Sequence, residues 1–307
     1  MILLRAKTSL TRLVFSCWTL VIVFILSLLW SAPIQAKSSY DGWWWNSSRP
    51  GTGFSLEKQG SKIYLTWFLY DTDTRPMWYS CLAARQADGS YSGSLTYWRF
   101  VDNTTFTPST VGSASIVFEN TSKATITWSA SGYQGTKSLA KYMDDAIGGS
   151  EDSRNLTGWW WDPAISGRGV FLETQGGSVY LSMYNYFTDG APGWGTMGGG
   201  QNIFPDGATS YGPVCLYTWL GGERLDGVYR EPKWVCPYKA SISVNSPTSI
   251  TYNLYQDSKV IDTFNLVPYT FGDDDNGGDD TPLWTASETS TPGTTCTVTG
   301  TDGATLT

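Results

Sequence analysis

A stretch of 37 residues occurs twice in this chain. Residues 42–78 read G-W-W-W-N-S-S-R-P-G-T-G-F-S-L-E-K-Q-G-S-K-I-Y-L-T-W-F-L-Y-D-T-D-T-R-P-M-W. Residues 158–194 read G-W-W-W-D-P-A-I-S-G-R-G-V-F-L-E-T-Q-G-G-S-V-Y-L-S-M-Y-N-Y-F-T-D-G-A-P-G-W. An offset of 116 carries Gly42 onto Gly158 and Trp78 onto Trp194 without a gap, and 17 of the 37 positions are identical. The shared set includes the Trp triplet, Gly51/Gly167, Gly53/Gly169, Glu57/Glu173, Gln59/Gln175 and Pro76/Pro192. A repeat of this kind makes each copy one structural unit. The length of 307 residues agrees with two domains.

Within the first copy, turn residues punctuate short apolar runs. The expected strands are 43–46, 53–59, 62–70, 77–85, 91–100, 112–118, 123–130 and 134–142. Alternation is clearest in 62–70, where Ile63, Leu65 and Trp67 take one face and Tyr64 and Phe68 the other. A composition 15% aromatic and 15% charged, with 33 glycines, favours strands and turns over helices. Eight strands with hairpin-length connections predict an all-β fold of two tandem antiparallel meander units. Each unit is expected to be an eight-stranded barrel, with a β-sandwich as the alternative; closure removes exposed strand edges.

The domain organisation follows. Residues 1–36 combine Arg5, Lys7 and Arg12 with an apolar run at 13–30 and S-A-P-I-Q-A, the pattern of a secretory signal. About eighteen apolar residues also suffice for an N-terminal anchor, so membrane association is expected only if this segment is retained. The first module spans 37–143, a polar linker 144–156, and the second module 157–271. A Gly/Asp tract at 272–282 reads as a flexible acidic linker, with a calcium loop as its alternative. A Thr-rich segment at 283–307 closes the sequence. Removing residues 1–36 takes away three cations and no acid, so the net charge moves from −7 to −10. Such a chain repels phosphate backbones, and nucleic acid is not expected as a partner.

The second copy departs from the first after Trp194. Ala240-Ser241-Ile242 matches Ala114-Ser115-Ile116 at an offset of 126, so about ten residues have been added within 198–237. Cys215 and Cys236 both lie there and have no counterparts in the first copy, which makes them the candidate disulfide of an exported protein. The expected picture is a hairpin or loop stapled at its base. Cys81 is either free or paired with Cys296.

The chain has no histidine. That removes Ser-His-Asp and Cys-His nucleophile systems and most zinc sites. No phosphate loop or dinucleotide fingerprint is present, and no cofactor, metal or catalytic residue is assigned. A carboxylate pair acting on a glycosidic bond is the remaining catalytic option, from Glu57/Glu173 and Asp73/Asp189. Duplication favours a structural role for these acids.

Aromatic side chains carry the main functional expectation. Alternation sends Trp43 and Trp45 to one face of their strand and Trp44 to the other. Buried indoles serve as packing nuclei; exposed ones offer flat faces on which sugar rings stack. The candidate ligand-binding set is Trp44, Tyr64, Tyr70, Trp78 and their counterparts Trp160, Tyr180, Tyr186 and Trp194, with Arg168 to bond hydroxyls.

The motif G-W-W-W-D-P-A-x-x-S-G-R-G-x-x-L-E-x-Q-G, followed by Y-L and P-x-W, resembles a Trp-rich β-module of exported bacterial proteins, often found in tandem, with the usual form G-x-W-W-N-P-x-x-S-G-x-G. V-G-S-A-S-I-V-F-E-N and G-Y-Q-G-T-K-S-L resemble that module's second half. The likeness covers residues 41–143 and 157–270 and implies a secreted, periplasmic or envelope protein of unknown activity. The sequence therefore points to a non-catalytic binding protein for glycan or another cell-surface polymer. A small-ligand or protein-partner (inhibitor-like) barrel is the alternative, and a glycosidase follows third.

Overall fold

The computed structural model describes residues 38–102, 105–149, 152–164 and 167–271, together with a short hairpin of Val298–Thr299 and Thr305–Leu306. The readings of 1–36, of 272–282 and of the rest of 283–307 lie outside the described residues.

Eight strands form the first unit: β1 (Gly42–Trp45), β2 (Gly53–Gln59), β3 (Lys62–Tyr70), β4 (Pro76–Arg85), β5 (Tyr91–Asp102), β6 (Thr105–Phe118), β7 (Lys123–Ala130) and β8 (Tyr133–Lys141). They run in sequence order around a closed antiparallel barrel, shut where Trp44 and Trp45 of β1 meet Lys141 and Ala140 of β8. A five-residue helix, α1 (Tyr142–Ala146), follows and occupies the start of the expected linker.

The second unit repeats the plan with β9 (Gly158–Trp161), β10 (Gly169–Gln175), β11 (Ser178–Tyr186), β12 (Pro192–Gly198), β13 (Ser210–Leu220), β14 (Lys233–Ser246), β15 (Ser249–Gln256) and β16 (Lys259–Pro268). This ring of eight also closes, with β16 returning to β9. Its seam between β12 and β13 is held by a single bridged pair, Thr196 and Tyr217. The all-β meander expected from the sequence is thus the observed fold.

Strand alternation fills each ring with one apolar face. In the first, Trp44, Phe54, Leu56, Ile63, Leu65, Trp67 and Leu69 point inward and are buried. In the second, Trp160, Val170, Leu172, Val179, Leu181 and Met183 do the same. The opposite faces of β1–β4 and β9–β12 also carry aromatic residues, and these are buried or partly buried. Trp43, Phe68, Tyr70 and Trp78 pack against Trp159, Phe171 and Trp194 in a third buried cluster between the rings.

Two long hairpins lock the pair. At the β5–β6 tip, the Phe100 N–H donates to the Gly190 carbonyl at 2.9 Å and Arg99 Nη2 to that of Asp189 at 2.8 Å. At the β13–β14 tip, the Gly221 N–H donates to the Thr74 carbonyl at 2.9 Å and Arg224 Nη1 to that of Thr72 at 3.1 Å. Each tip also crowds the first turn of the other ring. Phe106 lies where a Cβ on Gly167 would come within 2.1 Å, and Pro232 where a Cβ on Gly51 would come within 2.3 Å. Docking explains why β6 begins at Thr105 rather than at the expected residue 112: the polar T-F-T-P-S-T run pairs with β5 to build this arm.

Candidate functional site

The repeated motif assembles the contact between the rings. Gly42 enters β1 at φ 134° and Gly158 enters β9 at φ 145°, a region that L side chains rarely adopt. Each places the following N–H against a carboxylate of the other unit. Trp43 N–H donates to Glu173 Oε2 at 2.6 Å, and Trp159 N–H donates to Glu57 Oε2 at 2.6 Å. A Cβ on Gly42 would lie 2.6 Å from Glu173 Oε1, and one on Gly158 would lie 2.8 Å from Glu57 Oε2. The two repeated acids therefore serve the partner unit's backbone.

Aromatic contacts repeat the same reciprocity. Trp43 meets Tyr180 edge-on at 5.2 Å, and Tyr64 meets Trp159 edge-on at 5.3 Å. Tyr70 meets Trp194 at 5.7 Å, and Trp78 meets Tyr186 at 5.9 Å. Gln59 and Gln175 hold the chain that leaves the other ring's last strand. Gln59 donates to the Tyr269 carbonyl at 2.8 Å and accepts from Phe271 N–H at 2.9 Å, while Gln175 donates to Asp144 Oδ1 at 2.7 Å. Burial raises the Tyr64, Tyr70, Tyr180 and Tyr186 phenols above their ordinary value.

These positions correct the expected open platform. Tyr70, Trp78 and Trp194 are buried, and Tyr64, Tyr180 and Tyr186 are partly buried against the same cluster. Trp44 and Trp160 fill the two ring interiors. Arg168 stands apart, paired with Asp262 at 3.5 Å. The face that alternation marked as aromatic is covered by its own repeat, so no sugar ring finds a free stacking surface there.

Open aromatic surface occurs instead on the inserted hairpin. Cys215 and Cys236 form the expected disulfide, with Cα atoms 5.7 Å apart. Beside it Trp234 is 57% exposed, the one exposed tryptophan among the described residues. It lies opposite Trp219 in the β13–β14 register and meets Tyr217 edge-on at 5.1 Å. Trp219 is anchored by donating its indole N–H to Thr196 Oγ1 at 2.8 Å. Sequence reasoning passed over Trp234, although it lies in the insert two residues from Cys236, outside every position that the repeat reserves for packing.

The rest of the insert reaches the first ring. Glu223 is 3% exposed and bridges Lys137 and Arg49, and Leu225 packs against the first ring's core. Lys137 pairs in register with Ile126, which places it on the inward face of β8. On the outer surface of β5–β8, Ser92, Ser113, Ser115, Thr127, Ser129, Gln134 and Thr136 line a shallow groove of ≈ 580 Å³. Cys81 is a free thiol inside the first ring, its pKa pushed up to about 12 by burial.

The fold and its contacts define a pseudo-symmetric pair of eight-stranded β-rings bound through a shared aromatic motif. No protein-family model, curated protein or solved structure matches the chain. Among the described residues, no helix is long and apolar enough to cross a membrane, and no group of three or more His, Cys, Asp or Glu side chains is placed to hold a metal ion.

Proposed function

We propose that this protein is an exported, non-catalytic binding protein whose ligand surface is the Tyr217–Trp219–Trp234 face of the stapled hairpin. The observation that carries this reading is the exposure of Trp234 in a chain that buries or half-buries its other described tryptophans. An exposed indole set edge-on against Tyr217 presents an apolar face to solvent, which suits a pyranose ring of a glycan or another cell-surface polymer. The disulfide limits the hairpin's freedom before binding, and this lowers the entropic cost of recognition. Export is supported by the N-terminal pattern and the disulfide. The carboxylates best placed for glycosidase chemistry by sequence, Glu57 and Glu173, are engaged with backbone N–H groups, which argues against that role.

The test is a titration of intrinsic tryptophan fluorescence with soluble glycans and peptidoglycan fragments. The reading expects a saturable shift that Trp234→Ala abolishes while far-UV circular dichroism stays unchanged. A shift that survives Trp234→Ala, or no shift with any glycan, would overturn the glycan reading. A protein partner is the second reading, favoured by Val228 at 54% and Val235 at 45% exposure on the same insert.

A further inference from the structure

We infer that the aromatic face of each unit is a recognition surface for its own kind, so that the fitting partner is another unit bearing the same motif. Here that partner is supplied in the same chain. The inference is independent of the ligand surface on the hairpin.

The contacts carry it through their equivalence. The carboxylate contacts and three pairs of ring contacts within the repeated motif have mates displaced by 116 residues at both ends; Trp43–Phe171, whose counterpart position holds Ser55, and the hairpin-tip contacts do not. Trp43 N–H on Glu173 mirrors Trp159 N–H on Glu57. Trp43–Tyr180 mirrors Tyr64–Trp159, Tyr70–Trp194 mirrors Trp78–Tyr186, and Phe68–Trp194 mirrors Trp78–Tyr184. This is an isologous arrangement, in which one surface patch is complementary to itself. A two-fold contact of this kind is complete with two units and leaves no half-interface to propagate. The tandem chain is a covalently linked form of that pair, and the linker sets the effective concentration of the partner.

The recognition code also explains the spacing of the repeat. Glycine at the entry to the first strand lets the carboxylate of the other unit approach the next N–H. Glutamate on the second strand supplies that carboxylate. The glutamine two residues later gathers the chain leaving the other unit's last strand. Each of these residues serves one half of the reciprocal contact, so removing it leaves the mirrored half in place.

A cut in the linker of the folded, full-length protein tests this. A protease site inserted between Gly149 and Asp152, beyond the Gly148–Gly149 backbone that packs on Gly176, allows cleavage between the units. The inference expects the two halves to co-elute as one species from size exclusion and to stay together on dilution to about 1 µM, a level that specific interfaces of this type hold. It expects Glu57→Gln with Glu173→Gln to raise the dissociation concentration at least tenfold, each half keeping its strand signal in circular dichroism. Halves that part on cleavage, folded or unfolded, would overturn it. So would halves whose association ignores the paired glutamate substitutions.

Discussion

Glu173 of the second ring accepts the backbone N–H of Trp43 in the first at 2.6 Å, and a Cβ on Gly42 would lie 2.6 Å from the same carboxylate. One acid thus depends on a glycine 131 positions earlier in the chain. The mirrored contact, Trp159 N–H on Glu57, gives the interface its two-fold character.

Glu173→Ala should therefore cost about 2 kcal/mol or more, because it strands a buried N–H and removes a charged acceptor. Glu57→Ala should cost less, since Glu57 is only half-buried. Gly42→Ala should cost about 1–3 kcal/mol from its positive φ alone, and more once the carboxylate is displaced. Urea unfolding of the three variants checks the order.

Glu223 sits between Lys137 and Arg49 on the floor of the docked arm. Glu223→Ala leaves the inward-facing Lys137, 11% exposed, without its carboxylate. A loss of about 3 kcal/mol follows for a buried ion deprived of its partner. The double variant Lys137→Met, Glu223→Leu should recover most of it, and calorimetry should show a smaller drop in Tm than for Glu223→Ala alone.

Much of this architecture was legible from residue order. The eight strands of the first copy, the closure into rings and the Cys215–Cys236 staple all followed from period-two alternation, turn residues and an insert carrying two unmatched cysteines. Alternation puts Tyr64 and Phe68 on the face opposite Ile63 and Leu65, and they lie there. Alternation says that both faces of a strand are apolar but not what covers the second one. Trp78 and Trp194 were therefore candidates for a ligand when each was the other unit's packing partner. The β5–β6 arm was equally hidden, because Pro108 and the polar residues around it mask a run that becomes strand by pairing with β5.

Joining Cys215 to Cys236 closes a loop with a sequence separation of 21. Loop-closure entropy for that span amounts to about 3 kcal/mol. Cys215→Ser with Cys236→Ser should lose about that much stability and also weaken fluorescence responses at Trp234. Thermal unfolding of the double variant, and the glycan titration of its tryptophan fluorescence, test both. Cys81, inside the first ring with its pKa at about 12, should stay silent to thiol reagents at neutral pH until the protein unfolds.

Alkaline pH should unfold the pair cooperatively. Burial holds the Tyr64, Tyr70, Tyr180, Tyr186 and Tyr252 phenols above the ordinary value of 10.0. Below that value both states keep these protons and the stability is fully present. Above it the unfolded chain loses protons that the folded protein retains, so stability falls as pH rises, by up to about 1.4 kcal/mol per pH unit for each such phenol. The share of the tyrosinate absorbance that these five buried phenols contribute should rise together with the loss of circular dichroism.

The most direct test of motif-mediated pairing is a double-mutant cycle on Trp43 and Tyr180, one residue from each ring, measured by urea unfolding. Trp43→Leu, Tyr180→Leu and their combination should reveal a coupling of about 0.5–1.5 kcal/mol for an edge-on aromatic pair. The mirrored cycle on Tyr64 and Trp159 should give a coupling of the same sign and similar size. Additivity within about 0.3 kcal/mol in both cycles would mean that these rings do not meet, and would contradict the pairing of the two units through the repeated motif.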